Sequence, residues 1–322
     1  MNLALIGSVS SSWHCLRALI RNRLDVRAVC GLHERHAATV SDYRSLRDLA
    51  DQAHLPFLAF DRLAEPAVHR FLSDHHADLL FAVGISQMVP RRLIDLFPAG
   101  AIGFHPTMLP KMRGRAPVAW TILLDEQPAV SLFFLTDQPD AGDIVLQRPV
   151  QKRPDDYAAD LIARTNQALE ACIDQLAPAI RTGNLPAAPQ DPALATYLAR
   201  RSRADGLIDF RQPAERIYRL IRATSRPYPG AFTHHHGREL IVWRARPHPR
   251  NDHLGSPGQI VAVDPSCGLL VQTGDGLLWL TELQFAGHSG PARPDNFRPG
   301  QRLGLDTPAA IKDLQERISR LE

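Results

Sequence analysis

The chain has 322 residues, 44% of them hydrophobic, and a formal net charge of +3 from 37 basic and 34 acidic side chains. A chain of that length buries a full core and favours two domains over one, while arginines dispersed through helices and loops form no basic stripe that would argue for nucleic acid. Cys15, Cys30, Cys172 and Cys267 stand far apart with neither a CxxC nor a metal-ligand spacing, so they read as reduced core thiols of a cytoplasmic protein. Leu3–Ile6 follows no basic leader and no apolar run reaches spanning length, so neither export nor membrane insertion is expected.

Leu3–Ile6 predicts a buried strand, Gly7–Ser12 a polar turn, and Trp13–Arg21 a helix with Ser11 or Ser12 as N-cap. Val26–Cys30 is the next strand, followed by a helix over Ser45–His54, an extended Pro56–Phe60, a helix over Ala67–His75 and the most apolar strand, Asp78–Val83. Pro90–Leu96 continues as a helix, Ala101–Phe104 as a strand, Val118–Leu124 as a helix, and Val130–Leu135 and Ile144–Val150 as strands. Tyr157–Arg181 makes one long helix with Leu161, Leu169, Ile173 and Leu176 near helical spacing. Strands alternating with helices predict an α/β fold around a doubly wound, mainly parallel sheet.

Gly183–Pro192 turns to Pro, Ala and polar residues and reads as a linker, which divides the chain at about 190. The second part opens with Tyr197–Arg203 and a helix over Ala214–Ser225. Short strands follow near Ala231–Thr233, Glu239–Arg246, Gly258–Val263, Gly268–Thr273 and Leu277–Leu283. Their Gly and Pro punctuation predicts a small, open-barrel-like β domain over 191–322, of the OB type, closed by a helix over Thr307–Leu321.

Several tempting patterns carry nothing. Gly7–Ser12 lacks the second and third glycines of a dinucleotide loop. His234, His235 and His236 point in different directions with no carboxylate or Cys at ligand spacing, which predicts an exposed turn and no metal. His33-Glu34-Arg35-His36 is one residue short of the HExxH helix pattern and reads as a solvated loop.

The informative stretch runs from His105 through Pro106, Thr107, Met108, Leu109, Pro110, Lys111, Met112, Arg113 and Gly114 to Arg115-Ala116-Pro117, and Asp140-Ala141-Gly142-Asp143 follows it. An imidazole and a carboxylate on neighbouring loops can move a proton between an amine and an acyl donor. The stretch resembles the His-x-Ser-Leu-Leu-Pro-x-x-Arg-Gly signature of folate-dependent formyltransferases, with Thr107 in the Ser place and Met108 in the first Leu place. The resemblance extends over nearly the whole chain. Residues up to about 190 look like the Rossmann-type catalytic domain. Arg200-Arg201, Asp209-Phe210 and the string from Arg226 to Phe232 look like the C-terminal domain of methionyl-tRNA and amino-sugar formyltransferases, the string being closest to the formyltransferase domain of the bifunctional polymyxin-resistance enzyme.

This resemblance implies N10-formyltetrahydrofolate as formyl donor. Its pterin would lie between the main chains of Ile85-Ser86-Gln87-Met88-Val89 and Thr136-Asp137-Gln138-Pro139-Asp140, so Ser86, Gln87, Met88, Asp137 and Gln138 are the expected donor-binding positions. Asp140 is implied as the base that also orients His105, and His105 as the group that holds the formyl oxygen and protonates the departing nitrogen. A carboxylate beside the ring keeps it charged more readily, which suits oxyanion stabilisation. The family's Asn two places before the His is Gly103 here, and Thr107, Ser86, Gln87 or a water are candidates for the missing donor.

Gly31–Tyr43, where the tRNA enzymes carry a basic loop, holds a single Arg and two acids, which argues against tRNA. A small acceptor, a nucleotide-linked amino sugar, fits better, with Thr107, Arg200, Arg201 and Arg226 as substrate contacts. Methionyl-tRNA or hydroxyornithine as acceptor, hydrolysis of the formyl-folate, and a silent folate-binding protein are the alternatives. The sequence leaves open whether the C-terminal domain meets substrate or a second copy in a homodimer.

Overall fold

The computed structural model of the chain describes residues 1–304, 311, 315, 316 and 318–320. The chain divides into two compact units, Met1–Arg200 and Arg201–Glu322.

In the first unit, strands β1 (Asn2–Gly7), β2 (Asp25–Leu32), β3 (Phe57–Phe60) and β4 (Leu79–Val83) alternate with helices α1 (Ser10–Arg21), α2 (Arg47–Gln52) and α3 (Pro66–Asp74). They are followed by α4 (Arg91–Ile94), β5 (Ala101–Thr107), the two-residue β6 (Arg113–Gly114), α5 (Pro117–Leu123), β7 (Pro128–Phe134), β8 (Ile144–Pro149), α6 (Ala158–Thr182) and the short β9 (Tyr197–Leu198). The main sheet has seven strands in the order β3-β2-β1-β4-β5-β7-β8. Its first five strands are parallel, and β7 runs antiparallel between β5 and β8.

Both faces of this sheet are buried, which is why its strands read as continuous apolar runs. Leu3 and Leu5 of β1, with Phe81, Val83, Ile102, Val130 and Leu132, pack on Leu16 and Leu19 of α1 and on Leu169, Cys172, Ile173 and Leu176 of α6. The alternate residues Ala4 and Ile6, with Ala28, Cys30, Leu80 and Ala82, meet Val68 and Leu72 of α3 and Leu93 and Ile94 of α4. Cys15, Cys30 and Cys172 are buried in these layers, and the four cysteines are free thiols. Burial pushes the Cys172 thiol up to about 11 and raises Cys15 and Cys30 further, so none of the three is a reactive thiolate.

Four local expectations change. α1 begins at Ser10 behind Val9, and Ser12 is no N-cap. Fully buried one turn in, its Oγ accepts the Ser8 and Val9 N–H groups at 3.0 and 3.2 Å and donates to the Val83 carbonyl at 2.6 Å. The expected helix over Pro90–Leu96 shrinks to Arg91–Ile94, after which the chain continues in single turns, with the Leu96 and Phe97 N–H groups on the Leu93 and Ile94 carbonyls. The expected linker after 183 stays with the first unit: Ala188 exchanges backbone bonds with Ile144, and Tyr197–Leu198 pair with Arg113–Gly114. The second unit therefore begins at Arg201.

That unit carries α7 (Ala214–Thr224) and the strands β10 (Ala231–His235), β11 (Arg238–Pro247), β12 (Ile260–Asp264), β13 (Gly268–Gln272) and β14 (Leu277–Phe285). They form one antiparallel sheet in the order β10-β11-β14-β13-β12, open at both edges, with α7 packed against β11. His235 is the fourth correction. It is buried at the end of β10 beside Phe285 and Phe297 and not in an exposed turn. Among the described residues no group of His, Cys, Asp or Glu is placed to hold a metal, and no helix is long and apolar enough to cross a membrane. The expected closing helix, Thr307–Leu321, lies outside the continuously described residues.

Ser12 ties the first turn of α1 to the end of β4. Ser12→Ala leaves two amides and a carbonyl without this partner and is expected to cost about 1–3 kcal/mol, measured as a lower midpoint in urea at unchanged slope.

Candidate active site

β5 runs on past its neighbour. Its pairing with β4 ends at Gly103, so His105 projects beyond the end of the parallel strands, opposite Ser131 of β7. The chain then folds back through Met108–Met112, and the ring is enclosed with 5% of the residue exposed. His105 Nε2 lies 2.8 Å from the Met112 carbonyl. A carbonyl only accepts, so Nε2 carries the proton and Nδ1 of the neutral ring is a bare lone pair.

That lone pair faces Asp140 Oδ2 at 3.7 Å, beyond hydrogen-bond reach. Asp140 comes from the turn between β7 and β8 with a left-handed backbone, φ +55°, and its Oδ2 accepts the Gly114 N–H at 2.7 Å. A donor atom about 2.8 Å from both acceptors completes a triangle with them. The site is built to receive an N–H or O–H.

Burial lowers the His105 pKa below its ordinary 6.5, against the opposing pull of Asp140 and of the Met112 carbonyl. Asp140 favours the charged ring, as expected of a neighbouring carboxylate, but desolvation of an enclosed ring outweighs a carboxylate at 3.7 Å.

The other expected residues divide. Thr107 is fully buried and its hydroxyl donates to the Lys111 carbonyl at 3.1 Å, so it braces the turn instead of meeting substrate. Gln87 is likewise engaged, its Nε2 on the Asp61 carbonyl at 2.9 Å and its Oε1 on the Leu63 N–H at 3.0 Å. Ser86 is exposed, its carbonyl accepting from Arg115 at 3.3 Å, and Met88 is 62% exposed. Asp137 is exposed with Arg91 at 3.7 Å, and the Gln138 N–H and carbonyl both meet the Thr136 hydroxyl. Arg200 is exposed. Arg201 and Arg226, in the second unit, are not free cations: Arg201 donates to the Asp205 carbonyl at 2.7 Å, while Arg226 pairs with Glu282 at 2.5 Å and lies over the Trp243 ring.

Three residues escaped the sequence reading as parts of the site. The Thr196 hydroxyl accepts the Met112 N–H at 2.8 Å, fixing the residue that receives the His105 proton. Gln190 Nε2 donates to the Asp140 and Gly142 carbonyls at 2.9 and 2.7 Å, and its Oε1 accepts from buried Arg113 at 2.7 Å. Arg113 was visible in the motif, but nothing in the sequence around Thr196 or Gln190 marks them.

Residues 1–175 match the formyl transferase family, and residues 201–294 match the formyl transferase C-terminal domain. This chain belongs to the formyl transferase family. HypX from Aquifex aeolicus, solved in complex with tetrahydrofolic acid, shares its fold with a TM-score of 0.67 at 16% identity, over 91% of this chain and 46% of HypX. The chain thus spans a little under half the length of HypX. WlaRD, a sugar 3N-formyl transferase solved with dTDP and 5-N-formyl-THF, gives 0.63 at 15% identity, over 89% of this chain and 98% of WlaRD. An N-formyltransferase from Helicobacter canadensis, solved with folinic acid and dTDP-3-aminofucose, gives 0.64 at 17% identity, over 87% and 98%.

In this formyl transferase the place of the family's Asn is filled from outside. A Cβ on Gly103 would lie 2.7 Å from Leu135 Cδ2 and 2.9 Å from Phe133 Cζ. Gly103→Asn is expected to lower the melting temperature and to restore no activity, whereas Gly103→Asn with Leu135→Ala regains stability relative to the single variant. A more active single variant at unchanged melting temperature would contradict this.

The lowered His105 pKa also sets a pH dependence. The unfolded chain takes up the His105 proton first, so stability falls as pH drops from about 6.5 towards the folded value and levels off below it. His235, also lowered by burial, adds to this slope. Urea midpoints between pH 5 and pH 8 should show a shallower slope for His105→Gln than for the wild type.

Proposed function

We propose that this formyl transferase transfers the formyl group of N10-formyltetrahydrofolate to the primary amine of a nucleotide-linked amino sugar, with Asp140 and His105 handling the proton. The observation that carries this reading is the pair of acceptors that face each other with no hydrogen bond between them, Asp140 Oδ2 and His105 Nδ1, 3.7 Å apart. An amine at neutral pH is an ammonium and attacks only after losing a proton. Asp140 accepts it, and the Gly114 N–H at 2.7 Å keeps that carboxylate aimed. As the new C–N bond forms at the formyl carbon, the attacking nitrogen gives its second proton to His105 Nδ1, whose N–H faces the formyl oxygen and whose proton is passed to the folate nitrogen as the old C–N bond breaks, while Nε2–H stays on Met112.

The residues present suit a folate. Ile85, Val89 and Leu135, from the two loops beside the site, are partly buried hydrophobics against the core, and Met88 is exposed beside them. An apolar wall edged by main-chain groups fits a flat ring with a hydrogen-bonding rim. The donor supplies the formyl carbon when bound.

For the acceptor, the amino-sugar enzymes similar in fold over 87% or more of this chain support a small nucleotide-linked amine. The loop after β2 points the same way: Arg35 and His36 both pair with Asp61, which leaves that loop little positive charge for a tRNA backbone. Hydrolysis of the formyl-folate is a second reading: it would use the same His105 and Asp140 and need no amine.

Turnover of N10-formyltetrahydrofolate, followed by free-folate absorbance, tests both against nucleotide-linked amino sugars, hydroxyornithine and methionyl-tRNA. We expect turnover that depends on an amino-sugar nucleotide and falls roughly 10²–10⁴-fold in Asp140→Asn. Formate release without any amine would establish the hydrolase instead, and turnover with methionyl-tRNA alone would overturn the sugar.

A further inference from the structure

Asp140 is held at both ends by one dipeptide. Its carboxylate accepts the Gly114 N–H directly. Its carbonyl, together with that of Gly142, accepts from Gln190 Nε2, whose Oε1 in turn accepts from Arg113 Nη2 at 2.7 Å and Nε at 3.3 Å. Arg113 is 4% exposed, and its guanidinium is turned to the Gln190 amide oxygen through both nitrogens. Its charge is directed into the Gln190 amide, which strengthens the two bonds that amide donates.

This double hold matters because the turn is an improbable one. Asp140 has a left-handed backbone, and Gly142 lies so close to Phe134 that a Cβ would stand 1.8 Å from its carbonyl oxygen. Non-glycine residues keep a left-handed conformation where the surroundings determine it. Gln190 itself is placed by the backbone bonds between Ala188 and Ile144.

We propose that Gln190 is a positioning residue for proton removal: its amide, backed by Arg113, fixes the Asp140 backbone so that Oδ2 faces His105 Nδ1. The inference rests on the reading of Asp140 and His105 as the proton-handling pair. A misplacement near 1 Å is worth about 10²-fold in rate, so the hold acts on kcat and leaves donor binding largely alone.

The test is Gln190→Glu. The new carboxylate matches the amide in shape and still accepts from Arg113, but sets an acceptor against the two carbonyls that need a donor. We expect kcat to fall roughly 10–100-fold, with the KM for N10-formyltetrahydrofolate and the melting temperature little changed. The His105 ring, followed by its Cε1 proton in NMR, should titrate at lower pH as the carboxylate withdraws. In an Asp140→Asn background the same substitution should leave that titration unmoved and cost no further activity. Gln190→Met, which keeps the volume and loses the amide, repeats the measurement should Gln190→Glu not fold.

An unmoved His105 titration, or an equal effect with and without the Asp140 carboxylate, overturns the proposal and leaves Gln190 a structural residue. If the wild type transfers no formyl group to any acceptor while Gln190→Glu still moves the His105 titration, the positioning role stands and the transferase reading fails.

Discussion

The hydrogen bond from His105 Nε2 to the Met112 carbonyl determines what the site can do. It commits the one proton of a neutral imidazole to the protein, and burial keeps the ring neutral. What remains is a lone pair facing a carboxylate, two acceptors with no hydrogen between them. Such an arrangement is unfavourable until something brings a proton, and that is its use. Met112 holds the bond in place through its own left-handed backbone and its N–H on Thr196.

The architecture explains why this pair can exist. A parallel sheet buried on both faces has no room for polar side chains along its strands, so chemistry gathers where strands outlast their neighbours. β5 outlasts β4 by the length that carries His105, and the turn between β7 and β8, which leaves the sheet beside the start of β5, folds back to bring Asp140 to 3.7 Å from that ring. The segment after α6 then crosses back over both, pairing with β6 and delivering Gln190 and Thr196. The site is thus closed by chain that composition alone would assign to a linker.

The contrast separates what the sequence reveals from what it hides. The apolar strands β1 and β4, the long α6 and the motif from His105 to Pro117 are local patterns, and the α/β fold and the family follow from them. Hydrogen-bond partners are not local. Thr107 and Gln87 have side chains that read as ligand contacts, yet the fold engages each with a backbone group a few residues or a strand away. Gln190 sits among Pro and Ala with no periodicity to mark it, and its importance exists only once Asp140 and Arg113 have been brought to it. Arg226 looks like a phosphate contact until Glu282, across the second sheet, is seen to neutralise it.

The loss of the Asn at Gly103 bears on the order of events. Leu135 and Phe133 crowd the space a side chain there would use, so that wall offers no donor to a developing oxyanion. Thr107 and Gln87 cannot take its place, because their donors are engaged elsewhere. A proton acquired at His105 Nδ1 is then the donor this pair can present, which couples charge stabilisation to proton removal. An ammonium, with a pKa near 10, gives up a proton to such acceptors far more readily than bulk water, near 15.7. On that argument a site short of protons favours an amine over water, and the feature that first suggests a defective transferase becomes a reason to expect that its acceptor brings the proton along.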